Sequence, residues 1–244
     1  KDRPKIHKQL LIEKEVLEKI KKADPKFTHK TPCIYETFFY RGFYGFVCEV
    51  LGTDMYTTIK NNGFKGLDSS RLRVVSKNVA EALQFIHSLG YIHCDVKPEN
   101  VLWANHRRTN ARLIDFGCCC RIGYPLFKYI QSRFYRAPEV ILGAQYGIEI
   151  DVWSFGCMLH EFKTGRVLFP GVNEKQQLGM YVAALGPPAD RDLCNGDKVN
   201  EFFNPDMSLK VSVEMQPIED LLDSSDAFLK DLIMLTTLSL SKIV

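Results

Sequence analysis

"YIHCDVKPENVLW", residues 91–103, places an Asp, a Lys, a Glu and an Asn within six positions, between two short apolar pieces. Flanks this short bury poorly around so much charge. The residue types are particular: Asp95 can accept a proton, Lys97 brings a fixed positive charge, and Asn100 offers a neutral oxygen. Outward from this stretch, "RLIDFG" (112–117) reads as a short strand delivering a second carboxylate, Asp115, and "APE" (137–139) closes the segment that follows. A plainer alternative is that Asp95 and Asn100 only shape a turn before Pro98.

The chain has 244 residues, room for one large domain or for two lobes around a cleft. Its 45% hydrophobic and 25% charged content is that of an ordinary globular protein. No apolar run approaches the roughly 18 residues of a membrane span. The N-terminus, "KDRPKIHKQL", has a basic start without the apolar core of a signal peptide. A net charge of +3 is too small to argue for nucleic acid or a membrane surface, and "NHRR" (105–108) reads as a solvated turn. None of the eight cysteines forms a CxxC pair, and Cys118, Cys119 and Cys120 are consecutive, which suits no common zinc spacing. They read as free thiols, most of them small buried apolar side chains, in a reducing compartment: cytoplasm, nucleus or both.

Periodicity predicts a helix over 5–22, with Ile6, Leu10, Leu17 and Ile20 on one stripe. Glu13 falls inside that stripe, so it lies at its edge or has a buried partner. Residues 33–51 alternate and are rich in aromatic and β-branched side chains, predicting a hairpin that turns near Arg41-Gly42. A second helix is expected over 69–89 from Leu72, Val75, Val79, Leu83 and Ile86. "YIH" and "VLW" read as short extended pieces. Helices follow at 139–142, 151–164 and 174–184, the last ended by "LGPPAD" (185–190). Residues 190–225 read as a polar, irregular insertion before a final helix. Strands early and helices late predict an α+β architecture: a small mixed N-terminal part, a cleft and a larger helical part.

In this order and spacing, "HCDVKPEN", "DFG" and "APE" resemble the signature set of the protein kinases. "KYIQSRFYRAPEVILGAQYG" (128–147), Cys94 before Asp95, "IHKQ" (6–9) and "GFKG" (63–66) narrow the resemblance to the dual-specificity tyrosine-regulated kinases of the CMGC group. It covers residues 1 to about 187. It implies a bilobal fold with a truncated N-terminal lobe (1–51, hinge at 49–51, two to three strands) and a C-terminal lobe (52–244). It implies ATP and Mg²⁺ as cofactors and Ser/Thr side chains of proteins as substrates. Asp95, Lys97 and Asn100 become catalytic, and Asn100 and Asp115 metal ligands. Glu13, Cys48 (gatekeeper), Glu49, Val50, Leu51 and Leu102 join Asp115 around the nucleotide. Tyr129 becomes an autophosphorylation site with Arg133 and Arg136 as its guanidinium partners. Glu99 and Glu161 would receive a basic residue of the substrate. The Asp of "DVWSFG", Asp151, would hold the catalytic-loop backbone, with His93 and Phe116 as packing plugs.

Plainer readings stand beside three of these: a buried strand Cys48, a solvated Glu161, and a buried, unmodified Tyr129. The family pattern also sets a G-x-G-x-x-G loop and a V-A-I-K strand before the Glu13 helix, and no G-x-G-x-x-G occurs here. No D-x-x-x-R follows "FLKDLIML" to pair with Glu139. The expectation is a fragment of a longer kinase; a pseudokinase-type scaffold without catalysis is the alternative. A monomer that meets protein substrates, and neither nucleic acid nor membrane, completes the reading.

Overall fold

The computed structural model describes residues 3–41, 43–124, 129–186, 195–211, 213–215 and 217–221. Helix α1 (Arg3–Ala23) precedes the hairpin β1 (Ile34–Tyr40) and β2 (Phe43–Cys48). Helices α2 (Met55–Asn61) and α3 (Ser69–Ser88) follow, each opened by an aspartate, Asp54 or Asp68, whose carboxylate accepts a first-turn backbone N–H. Four short strands come next: β3 (Tyr91–Ile92), β4 (Val101–Trp103), β5 (Ala111–Leu113) and β6 (Cys120–Arg121). Helices α4 (Pro138–Leu142), α5 (Glu149–Thr164), α6 (Glu174–Leu185), α7 (Val199–Phe202) and α8 (Ile218–Leu221) complete the described chain. The strands pair antiparallel as β1 with β2, β3 with β6, and β4 with β5.

Two apolar clusters carry the packing. The larger gathers α2 through α8 around Trp103, Trp153, Phe162 and Phe169. The smaller joins Val16, Leu17 and Ile20 of α1 and Ile34 of β1 to Phe85, Ile86, Tyr91, Phe116 and Cys119. Helix α1 is therefore seated on residues that flank the 93–100 loop. Helix α5 is buried along almost its whole length, so its sequence shows little amphipathic contrast. Its C-terminus is pinned by two glycines: Gly66 and Gly165 both have positive φ, and a Cβ on either would overlap a facing carbonyl, of Lys163 or Phe64.

The hairpin turns where the sequence predicts it, and the helices over 69–89, 139–142, 151–164 and 174–184 are present within a residue or two. Helix α2 and strand β6 have no counterpart in the periodicity reading. The irregular insertion needs correction. Residues 199–202 and 218–221 are helical, Phe203 bridges to Leu209, and Val199, Phe202, Phe203 and Ile218 are buried in the main core. Apolar residues this sparsely spaced have no period to reveal them. The expected C-terminal helix, beyond 225, lies outside the described residues, and so does Cys194; the other seven cysteines are free thiols.

Candidate active site

The loop from His93 to Asn100 is held from below. Asp151 is completely buried near the start of α5, and its carboxylate accepts the backbone N–H of His93 (2.7 Å) and of Cys94 (2.9 Å) and lies 2.9 Å from His87 Nε2. Cys94 has φ 66, a left-handed conformation that non-glycine residues adopt only when their surroundings compel it. The two amide bonds to Asp151 supply that constraint. His93 packs edge-on to Phe116, ring centroids 5.3 Å apart, and its Nε2 lies 3.0 Å from the Ile114 carbonyl. The 93–100 loop and the "DFG" segment are thereby one packed unit.

Above this base, Asp95 sits at the centre of a hydrogen-bonded cluster. Lys97 Nζ donates to its Oδ2 (2.7 Å), Ser132 Oγ to its Oδ1 (2.9 Å), and Asn100 Nδ2 to its carbonyl (2.8 Å). Lys97 also reaches Ser132 Oγ at 3.2 Å. Burial works against the charge on Lys97, but the Asp95 hydrogen bond and charge outweigh it and hold the ammonium pKa above its usual value. Ser132 has no place in the sequence reading. It follows Gln131, a left-handed residue whose side chain donates to the Ile150 carbonyl and Ser154 and accepts from the Ala137 amide. That buried carboxamide sets the path of the chain between Tyr129 and Ala137.

Asp115 also has positive φ (67) and is exposed to the cleft, its Oδ1 accepting the Gly117 amide at 3.3 Å. Across from it, half-buried Glu13 has its pKa raised by burial and by the charge of Asp115. A carboxylate whose ionisation is opposed by burial and by a neighbouring negative charge suits a cation beside it. Asn100 spends its nitrogen on Asp95, and its side-chain oxygen is the atom that could hold a metal. Among the described residues no group of three or more His, Cys, Asp or Glu could hold a metal ion alone. One carboxylate and one carboxamide oxygen instead fit a divalent ion that brings phosphate oxygens with it.

At the back of the cleft, the Glu49 amide donates to the Cys33 carbonyl (2.9 Å), extending the hairpin, while its side chain binds the Cys33 amide and Arg112. With the amide spent in this way, the Glu49 carbonyl is the backbone group left to meet a ligand. Val50 is 96% exposed, and Leu51 and Leu102 are half-buried. Leu102 projects from the opposite face of β4 to the core residues Val101 and Trp103. Cys48 is exposed, which corrects the buried-strand reading, although its ladder partner Ile34 is buried in the smaller cluster.

Tyr129 is 61% exposed, which overturns the buried reading. The Arg136 guanidinium lies 4.0 Å from its ring centroid, and a hydrogen bond and the charge from Arg136 lower the phenol pKa. Arg136 is itself buried, donating to the Ile130 and Gln131 carbonyls and to Glu174. Arg133 donates to the Val172 carbonyl at 2.7 Å. Glu161 is 4% exposed, so the solvated-helix reading fails as well. Burial raises its pKa against a hydrogen bond from Tyr135, and the nearby charge of exposed Glu99 raises it further.

Residues 1–214 match the protein kinase domain. The chain belongs to the protein kinase family. Within it, the domain is 40% identical over 200 residues to human dual specificity tyrosine-phosphorylation-regulated kinase 3, covering 82% of this chain and 34% of that protein. It is 40% identical over 204 residues to serine/threonine-protein kinase ppk5 of Schizosaccharomyces pombe (84% and 24%) and over 206 residues to DYRK-family kinase pom1 of the same yeast (84% and 19%). The chain thus spans between about a fifth and two fifths of the length of the curated relatives it matches. The resemblance to the dual-specificity tyrosine-regulated kinases stands on this similarity. No helix among the described residues is long and apolar enough to cross a membrane.

Proposed function

We propose that the kinase domain transfers the γ-phosphoryl group of ATP, with Mg²⁺, to Ser or Thr hydroxyls of proteins, and that the protein phosphorylates its own Tyr129. The observation that carries this reading is the Asp95 cluster. Phosphoryl transfer asks a protein for positioning and charge compensation more than for covalent chemistry. Lys97 and Ser132 each hold one oxygen of Asp95, so the carboxylate has a fixed direction from which to orient a hydroxyl and take its proton. Lys97 adds positive charge where the transferring group would stand. Asn100 and Asp115 would hold the metal, whose charge, when bound, offsets that of the phosphates. The Glu49 carbonyl, Val50 and Leu51 would line the adenine site with Leu102, below an exposed Cys48. A cytoplasmic or nuclear setting fits the free thiols. The scaffold alternative draws no support from a cluster arranged so completely around one carboxylate.

The test uses the complete protein, purified after expression with and without the Asp95→Asn change. Peptide mapping by mass spectrometry should find phosphate on Tyr129 in the wild type and none in the variant. Phosphotyrosine adds roughly −1.5 to −2 charges, and Arg136 beneath the ring and Arg133 nearby are the cations to receive it. A wild type that transfers phosphate to no peptide, and whose Tyr129 stays unmodified, refutes the proposal.

Substrate choice follows from the acidic pair. Glu161, disfavoured as an anion by burial and by Glu99, gains from a neighbouring cation. We expect Glu99→Lys with Glu161→Gln to remove a preference for arginine upstream of the acceptor, with kcat/KM for such peptides falling about tenfold or more. A preference that survives both changes excludes the pair as the recognition site.

A further inference from the structure

Glu15 lies two positions beyond Glu13 on α1, roughly 200° around the helix at about 100° per residue, and so faces away from the cleft residue. Its Oε1 is the meeting point of three donors. The Tyr91 hydroxyl donates to it at 2.6 Å, Arg121 Nε at 3.2 Å and Arg121 Nη2 at 2.5 Å. Tyr91 and Arg121 are directly opposed in the β3–β6 ladder, which puts their side chains on one face of the pair. Lys19, four residues further along α1 from Glu15, sets its ammonium 4.9 Å from the centroid of the Tyr91 ring. Strand β3 runs into the loop that carries Asp95, and β6 begins three residues after Gly117 on the way to Tyr129.

We propose that Glu15, Tyr91 and Arg121 form a clasp that fixes helix α1, and with it Glu13, against the catalytic loop and the start of the activation segment. Glu15 and Arg121 are then positioning residues for phosphoryl transfer, an inference that rests on the kinase reading above. Direction is what the clasp adds. Val16, Leu17 and Ile20 seat α1 on an apolar surface, and apolar contact resists sliding and rotation weakly. A tyrosine hydroxyl anchored by a buried ring, with a guanidinium on the same oxygen, defines where that oxygen stands. Glu15 and Arg121 are themselves largely exposed, so the pair adds little to global stability. The tyrosine bond, reinforced by the arginine, holds the Glu15 carboxyl below the usual glutamate range, which keeps the clasp charged at neutral pH.

The experiment compares Glu15→Gln, Arg121→Gln and the charge exchange Glu15→Arg with Arg121→Glu in the complete protein. Each single change should lower kcat on a peptide about threefold to tenfold, leave the peptide KM unchanged and move the melting temperature little. Amide hydrogen exchange should quicken at residues 9–20 and stay constant in α3. The charge exchange, in which the Tyr91 hydroxyl accepts instead of donating, should recover most of the lost kcat. Quickened exchange with unchanged kcat overturns the positioning role, as does a charge exchange that recovers nothing. A wild type no more active than Asp95→Asn condemns the kinase reading instead. In that event exchange at residues 9–20 judges the clasp alone, and no change in Arg121→Gln overturns it.

Discussion

Replacing Asp95 with Asn is expected to lower kcat by about 10²–10⁴-fold, the usual cost of removing a general base, or roughly 3–5 kcal/mol of transition-state stabilisation. The fold should survive, because every contact around the site has a substitute. An Asn oxygen can take the place of Oδ2 under Lys97 Nζ, and its NH₂ group can donate to Ser132 Oγ, a hydroxyl able to reverse its role. The shorter Asn100 bond runs to the residue 95 carbonyl and does not depend on the side chain. What disappears is the basic oxygen on which the substrate hydroxyl could leave its proton. Steady-state kinetics on a peptide, with a thermal melt as control, measures both. Activity within threefold of wild type would refute the assignment. A melting temperature that collapses would show instead that Asp95 holds the loop together.

Much of this arrangement is legible in the order of the amino acids, for an identifiable reason. Helices α1 and α3 and the β1–β2 hairpin are local: their periods repeat often enough in adjacent residues to register. The same holds for Asp95, Lys97 and Asn100, which lie within one loop. What escapes the sequence depends on distant partners. Strand β6 is two residues long and exists only because Tyr91 and Ile92 lie opposite it. Ser132 is 37 positions from Asp95, and it becomes a partner only because Gln131, tied to α5 and to Ala137, bends the chain toward the loop.

Glu15 and Arg121, 106 residues apart, are ordinary surface charges until the fold joins them. Helix α2 is missed for another cause. "MYTTIKN" has two threonines and an isoleucine in seven positions, poor helix formers, and it is nucleated by the Asp54 cap and the burial of Met55, Thr58 and Ile59. Glu161 and Cys48 show the limit of side-chain type as a guide to exposure. A glutamate on α5 is buried because almost the whole helix is, and Cys48, the last residue of β2, is exposed although its ladder partner Ile34 is buried.

The second large effect falls on Asp151. Changing it to Ala should destabilise the domain by about 3 kcal/mol, since two buried backbone N–H groups lose their acceptor and each orphaned buried polar group costs roughly 1–3 kcal/mol. Asp151→Asn is expected to be nearly as damaging, although it conserves size and polarity. The carboxylate offers an acceptor oxygen to each amide, Oδ2 to His93 and Oδ1 to Cys94. A carboxamide has one oxygen, and its NH₂ would point at the remaining N–H. His87 Nε2, able to act as an acceptor in one tautomer, can turn to that NH₂ but cannot serve the stranded amide. Because Cys94 is held with φ 66 by these bonds, the loss should be local as well as global, loosening the backbone immediately before Asp95. Denaturant unfolding of the two variants, with amide exchange at residues 92–96, reads both consequences. Midpoints for both that imply less than about 0.5 kcal/mol of change would mean that the loop keeps its conformation without Asp151, and that the packing of His93 on Phe116 suffices to hold it.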